Sequence, residues 1–138
     1  SVNYVTRHAA LRRTFQRVYR ALAPGGLFLF DVKTPFALEG AGGQTYLDED
    51  EDLFCVWRGE YSPKRRICGY GLDLFLREED GSWSRGGEYH EEYAYTLEEL
   101  GGFLQEAGFK HIRIYGDKTM RPPREGAYRV FFAAGKEE

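Results

Sequence analysis

The most constraining feature of the sequence is the stretch Ala21–Val32, which reads ALAPGGLFLFDV. Pro24 cannot continue a helix, and the two glycines after it tolerate the positive φ of a tight turn. Leu27–Val32 is then a nearly continuous apolar run, which is typical of a strand in a parallel sheet that is buried on both faces. The stretch therefore predicts the end of a helix, a turn and a central strand, which is half of an α/β unit.

A helix is predicted immediately before this turn. The apolar residues between positions 7 and 22 fall on one helical stripe, and basic residues occupy the opposite face. Thr6 is the predicted N-cap. The basic face is interpreted as a solvated surface, because acidic residues elsewhere offset its charge. The stripe consists of Leu11, Phe15, Val18 and Leu22.

In the middle of the chain, the spacing of the apolar residues changes from a helical to an alternating pattern. Residues 33–44 are predicted to form a loop or a short irregular helix, and the acidic run 48–52 a solvated rim. Three long strands joined by polar turns follow, with a bulge or bend expected at Gly86–Gly87. These predict an antiparallel meander inserted at 35–95 between two parts of one core, 1–34 and 96–138. The predicted strands are Leu53–Glu60, Ile67–Arg77 and Trp83–Tyr95.

The last part returns to an α/β pattern. Thr96 and Glu99 form a capping box at the start of a helix, and Gly108 is placed to stop it. Two further strands are predicted, one from Phe109 to Tyr115 and one from Ala127 to Ala134. With 138 residues, the chain is expected to be one folded unit of the mixed class.

Composition excludes several functions. The net charge is −3 and the basic residues are scattered, so no nucleic-acid surface is expected. No apolar run reaches the length of a membrane span. The two cysteines are too few for a disulfide framework or a four-cysteine zinc site, and no metal site is predicted. With Glu60 opposite Arg66, Cys55 and Cys68 would also be out of register for a bridge. A reducing, cytoplasmic setting is therefore predicted.

Two groups of residues are candidates for chemistry. Asp31 closes the predicted central strand, and Lys33 and Thr34 follow on the same rim, where ligands of open α/β sheets bind. Asp31 is equally interpretable as a cap for the backbone of the next loop. His90 alternates with Glu88 and Glu92 on one strand face, which suits a pH-tuned acid or base. The alternative for His90 is an ordinary polar outer face.

Several motifs together resemble one family. The segment Leu22-x-Pro24-Gly25-Gly26-x-Phe28-x-Phe30-Asp31 resembles the helix end and fifth strand of class I S-adenosylmethionine-dependent methyltransferases. The opening Ser1–Tyr4 is similar to the segment that follows the fourth strand of that family. The last helix and sixth strand of the family are similar to Tyr95–Leu100, Glu106–Phe109 and Tyr115–Asp117.

The resemblance implies an α/β fold, or α+β for this chain alone: the C-terminal half of a Rossmann-like methyltransferase sheet with an inserted antiparallel meander. The last strand would run antiparallel between the fifth and the sixth. The meander would be a lid over the substrate cleft, and its aromatic side chains would shield the sulfonium of the cofactor. Nothing in the chain matches the family's cofactor-binding glycine loop, and the chain begins at Ser1 without a methionine.

S-adenosylmethionine is the cofactor that the resemblance implies for the full-length protein, with an unidentified methyl acceptor. Ser1, Asn3 and Tyr4 would line the cofactor pocket, while Asp31, Lys33 and Thr34 would face the substrate. The chain alone is expected to be inactive. The alternative is a non-enzymatic α+β domain that binds a small ligand or self-associates, and a homo-oligomer through an exposed sheet edge is a further expectation.

Overall fold

A computed structural model describes residues 2–138, which fold into two antiparallel sheets and three helices. A short 3₁₀ turn, Val2–Tyr4, precedes the first helix. Among the described residues, no helix has both the length and the apolar character needed to cross a membrane. The elements are α1 (His8–Ala21), β1 (Leu27–Lys33), α2 (Pro35–Ala41), β2 (Thr45–Glu49), β3 (Leu53–Ser62), β4 (Ile67–Arg77), β5 (Trp83–Tyr93), α3 (Leu97–Ala107), β6 (Lys110–Gly116) and β7 (Arg129–Gly135).

The first sheet has the order β1-β7-β6, and β7 runs antiparallel to both of its neighbours. This confirms the position that the resemblance implied for the last strand. Helices α1 and α3 cover one face of this sheet, because their apolar stripes are buried there. Phe15 of α1 lies 5.4 Å from Phe30 between ring centroids, and Phe30 stacks on Phe132 at 5.0 Å. The main core therefore lies between these two helices and the sheet.

Strand β1 differs from the prediction in one respect. The apolar run predicted a parallel strand buried on both faces, but β1 pairs with β7 in antiparallel register and alternates in burial. Phe28, Phe30 and Val32 point to the helices, whereas Leu27 and Leu29 are 58% and 65% exposed. That part of the prediction is wrong for the described chain, because only one face of the strand is covered by helices.

The capping residues predicted from the sequence are found at α3 but not at the start of α1. Thr96 accepts from the backbone N–H of Glu99, and the Glu99 carboxylate accepts from the Thr96 N–H, so the predicted capping box is confirmed. Gly108 ends α3 with a φ of 107°, a conformation that disfavours side chains. The predicted cap at Thr6 is wrong: Arg7 is the N-cap of α1, without a side-chain hydrogen bond.

The second sheet has the order β2-β3-β4-β5, and the predicted meander is confirmed as β3, β4 and β5. Residues 45–49 form a strand that the sequence did not predict, while the acidic run 48–52 is exposed, as expected. The bulge expected at Gly86–Gly87 is wrong, because β5 pairs with β4 in continuous register there. Cys55 lies opposite Leu74 rather than Gly71, which corrects the predicted register; both cysteines are nevertheless free, as expected.

Helix α2 connects the two sheets and is the short helix that the sequence left open. Thr34 caps it by accepting from the Ala37 N–H at 3.2 Å. Leu38 and Ala41 are buried against the second sheet, and a Cβ at Gly59 would collide with the carbonyl oxygen of Ala41. The seven residues of α2 therefore hold the end of β1 close to β3 and β4.

Candidate functional site

A cavity of about 660 Å³ opens where the end of β1, helix α2 and the second sheet meet. This volume is in the range of sites for small molecules. Its wall combines four aromatic side chains with two cations and a few small or polar residues. The lining residues are Lys33, Ala37, Gly40, Ala41, Gln44, Tyr46, Trp57, Tyr70, Tyr128 and Arg129.

Backbone register brings the two cations together. Lys33 and Arg129 lie directly opposite each other on β1 and β7, so their side chains leave the same face of the sheet. Each has a carboxylate partner. Lys33 Nζ lies 2.9 Å from Glu92 Oε2 and 3.2 Å from Oε1, and an Arg129 guanidinium nitrogen lies 3.4 Å from Asp31 Oδ2. Two like charges side by side are therefore compensated from outside the cavity wall.

Glu92 is the buried anchor of this arrangement, with only 1% of its surface exposed. It accepts both contacts from Lys33, at 3.2 Å and 2.9 Å. Burial raises the pKa of Tyr4, and the negative charge of Glu92 raises it further. The Lys33 ammonium also lies 5.3 Å from the centroid of the Tyr70 ring. These contacts fix the position of the ammonium at the cavity.

Tyr70 and Cys68 form a less polar part of the site. Burial raises the pKa of the Tyr70 hydroxyl, and a hydrogen bond with the Cys68 sulfur raises it further. Burial likewise raises the pKa of the Cys68 thiol. Both groups are therefore neutral at physiological pH, and the phenol ring presents an uncharged surface to the cavity.

The three residues predicted on the substrate side occupy different surroundings. Lys33 lines the cavity. Thr34 is buried; its hydroxyl donates to the Ala127 carbonyl at 2.5 Å and caps α2. Asp31 is half-exposed beside the cavity, and its carboxylate faces Arg129. The structure therefore brings Lys33 and Asp31 to one face, whereas the Thr34 side chain is engaged in holding the helix. Their roles towards a substrate stay predictions.

His90 lies on β5 and shares a face with Glu88 and Glu92, as the alternation predicted. Its Nε2 is 2.9 Å from the exposed carboxylate of Glu88, and its ring contacts the Tyr4 ring edge-on at 6.1 Å. It is not among the cavity-lining residues. A catalytic role for His90, like one for Asp31, stays a prediction.

The residues predicted to line a cofactor pocket lie at the start of the chain. Ser1 lies outside the described residues. Asn3 is fully buried; its side chain donates to the carbonyls of Lys33 and Tyr93 and accepts from the Lys33 N–H. Tyr4 is 50% exposed and lies against His90 and Glu92. Asn3 thus links β1 to β5, and the exposed Tyr4 ring is available to contact a ligand.

Sequence reasoning missed most of the cavity wall. Trp57 and Tyr70 were assigned to meander strands, whose aromatic side chains were expected to shield the cofactor, while Tyr46 was assigned to no strand and Arg129 was not singled out. The pairing of Lys33 with Arg129 depends on the register of β1 with β7, for which the sequence has no local signal. Within residues 2–138, no group of three histidine, cysteine, aspartate or glutamate side chains is placed to hold a metal ion.

Comparisons with known proteins agree with this architecture. No protein-family model matches the chain. A Geobacillus sp. (strain WCH70) protein, named provisionally as a methyltransferase, is 31% identical over 137 residues, covering 99% of this chain and 56% of the relative. YqeM of Bacillus subtilis (strain 168), named in the same way, is 30% identical over 139 residues, with 100% and 56% covered. The chain thus spans little more than half the length of these curated relatives.

A solved structure shows the same fold. The S-adenosylmethionine-dependent methyltransferase from Clostridium acetobutylicum ATCC 824 superposes with a TM-score of 0.88 at 21% identity, over 100% of this chain and 55% of that protein. The resemblance inferred from the sequence is thereby confirmed: the chain has the α+β architecture of about half of a class I S-adenosylmethionine-dependent methyltransferase, consistent with the C-terminal portion of that family.

Proposed function

We propose that the chain forms the acceptor side of an S-adenosylmethionine-dependent methyltransferase and that the cavity between the two sheets holds the methyl acceptor. The observation that carries this proposal is the cavity itself, about 660 Å³ in size, at the carboxyl end of β1 in a methyltransferase fold. Ligands of open α/β sheets bind beyond the carboxyl ends of strands. In this assignment, 1–34 and 96–138 belong to the methyltransferase core, and 35–95 form the lid over the acceptor.

The described residues fit one wall of a cofactor site. Tyr4 has an exposed ring close to the Lys33–Glu92 pair, whereas the Asn3 amide is already engaged by backbone groups. Tyr4 would therefore be the described residue that touches S-adenosylmethionine, with Asn3 fixing the turn that carries it. When bound, the cofactor supplies a methyl group on a sulfonium, which a nucleophile of the acceptor attacks directly.

The chain's own residues would contribute alignment and exclusion of water. Holding an acceptor in a near-attack geometry replaces a bimolecular encounter and is a major source of rate. Trp57, Tyr46 and Tyr128 offer flat walls for such an acceptor, and Glu92 keeps the Lys33 ammonium in a fixed place. No general base is needed in this scheme when the acceptor nucleophile is already electron-rich.

The test compares the 138-residue chain with a full-length protein that contains it. Calorimetric titration with S-adenosylmethionine is expected to show tight binding only for the full-length protein, because the family's glycine loop has no match in the chain. With tritiated S-adenosylmethionine, the full-length protein should label an acceptor in a small-molecule extract. Trp57→Ala should abolish most labelling, while Trp83→Ala, which alters the tryptophan outside this cavity, should not.

Two results would contradict this proposal. Absence of labelling by the full-length protein would favour the non-enzymatic ligand-binding alternative. Tight, stoichiometric binding of S-adenosylmethionine by the 138-residue chain would show that the chain also holds the cofactor, which contradicts its assignment to the acceptor side only.

We further propose a cytoplasmic location, supported by the two free cysteines, and self-association of the isolated chain through the edge of β1.

A further inference from the structure

The charges that line the cavity are of one sign. Lys33 and Arg129 are its charged lining residues, and neither of their carboxylate partners is part of the lining. Glu92 is almost completely buried behind Lys33, and Asp31 lies to the side of Arg129. A molecule in the cavity therefore meets an ammonium and a guanidinium directly, while the compensating carboxylates lie farther away.

The two cations also have unused hydrogen-bonding capacity. Lys33 has three N–H donors, and among residues 2–138 its side-chain acceptors are the two oxygens of the Glu92 carboxylate. Arg129 has five donors, and its ion pair with Asp31 is a long one of 3.4 Å at the half-exposed rim. Like charges directly opposite on neighbouring strands repel each other. An anion between them would relieve this repulsion and accept from both.

The remaining wall favours a flat ring. Tyr46 lies directly opposite Trp57 on β2 and β3, and Tyr70 is on the next strand of the same sheet. Tyr128 lies on the other side, immediately before Arg129. Aromatic side chains pack against planar groups in offset or edge-to-face geometry. The cavity is large enough for a small molecule, and its cations lie on the strands of the first sheet, opposite the aromatic residues of the second.

From these observations, and resting on the proposed function, we propose that the acceptor is a small molecule that carries a planar ring and an anionic group, either a carboxylate or a phosphate. Lys33 and Arg129 bind the anionic group, and the aromatic residues hold the ring. Glu92 is a positioning residue, because it acts on the acceptor only through Lys33.

Binding of simple ring compounds tests this specificity without the cofactor. In the Trp83→Phe variant, Trp57 is the single tryptophan, so its emission reports on the cavity. We expect benzoate and phenyl phosphate to bind at least about tenfold more tightly than benzyl alcohol, the difference that one charge-assisted hydrogen bond provides. Benzylammonium should bind most weakly. The ratio of benzoate to phenyl phosphate affinity distinguishes the two anion classes.

A matched pair of variants locates the effect. Arg129→Gln should remove the preference for the anions, whereas Arg113→Gln, an exposed arginine on the neighbouring strand β6, should leave it unchanged. Equal binding of all four probes, or a preference for benzylammonium, would overturn the proposal on the unmutated cavity, even if Arg129→Gln failed to fold. This binding measurement needs no methyl transfer. Such a result would therefore not bear on the proposed methyltransferase function, which the labelling assay tests separately.

Discussion

The two faces of the β1-β7-β6 sheet are built from the same strands but differ in what covers them. On one face, Phe30 and Phe132 stack beneath α1 and α3, and Phe132 is fully buried. On the other face, Phe131 is 37% and Leu29 is 65% exposed. Among the described residues, no helix covers that second face, which we call the open face.

The open face is itself divided into two parts. At the carboxyl end of β1 it carries Lys33, Asp31 and Arg129 and leads into the cavity between the two sheets. At the other end it is a mainly apolar groove that includes Leu29, Phe131 and Met120. Contiguous apolar surface of this kind marks a contact surface in folded proteins. The presence of an apolar residue in a strand therefore does not show whether helices cover the face of the sheet on which that residue lies.

Alanine substitution of the two adjacent phenylalanines of β7 gives the largest expected contrast. Phe132→Ala should lower the free energy of unfolding by about 4 kcal/mol, because it leaves a cavity in a closed core. Phe131→Ala should cost about 1 kcal/mol or less, because its ring is partly solvated. Urea unfolding followed by circular dichroism measures both free energies. Because each variant loses the same side chain from the same strand, the two variants serve as controls for each other.

One result would contradict this difference between the two faces. If Phe131→Ala proves as costly as Phe132→Ala, the open face is covered in solution by another copy of the chain. The loss should then depend on protein concentration, since association contributes to stability through mass action.

The ion pairs of the open face give a contrast of intermediate size. Glu92→Gln should lower the free energy of unfolding by about 2 kcal/mol. This is less than for a fully buried pair, because Lys33 remains 37% exposed. Asp31→Asn should cost less than about 0.5 kcal/mol, because both members of its pair are half-exposed. Thermal or urea unfolding at neutral pH distinguishes these values.

A double variant separates loss of a partner from loss of packing. Replacing Lys33 by methionine in the Glu92→Gln background should recover part of the stability, since no unpaired ammonium then remains. Equal effects of Glu92→Gln and Asp31→Asn would show that the burial of Glu92 does not determine the strength of its pair.

Much of the fold follows from local sequence signals. The stop at Pro24–Gly26, the capping box at Thr96 and the alternation of the meander each depend on nearby residues, and the structure confirms them. Strand β2 was missed because its exposed, acidic sequence lacks the alternation that marks a half-buried strand. The predicted register of β3 with β4 was wrong because β3 continues to Ser62 and the turn occupies 63–66, later in the chain than the assumed pairing of Glu60 with Arg66 requires.

The candidate site was less accessible from sequence than the fold. Lys33 and Asp31 were selected because they close a strand, a position that has a chemical meaning. Arg129 reaches the same cavity only through the pairing of β7 with β1, which is distant in sequence. Trp57 and Tyr70 reach it through the register of the β3–β4 hairpin and through the packing of the second sheet beside the end of β1. Such contacts depend on the register and on the angle at which α2 joins the sheets, and neither leaves a periodic signal in the chain.

The smallest expected effect on stability is that of substituting Leu29, and this substitution tests whether the open face promotes self-association. Leu29→Lys should change the free energy of unfolding by no more than about 0.5 kcal/mol, because the side chain is already exposed. It should nevertheless reduce self-association of the isolated chain, since a lysine on an edge strand opposes pairing with a second copy. Sedimentation velocity measures this change, with Leu76→Lys on the other sheet as the matched control. If the unmodified chain is strictly monomeric, neither the open face nor the edge of β1 drives self-association, and the self-association proposed above is contradicted.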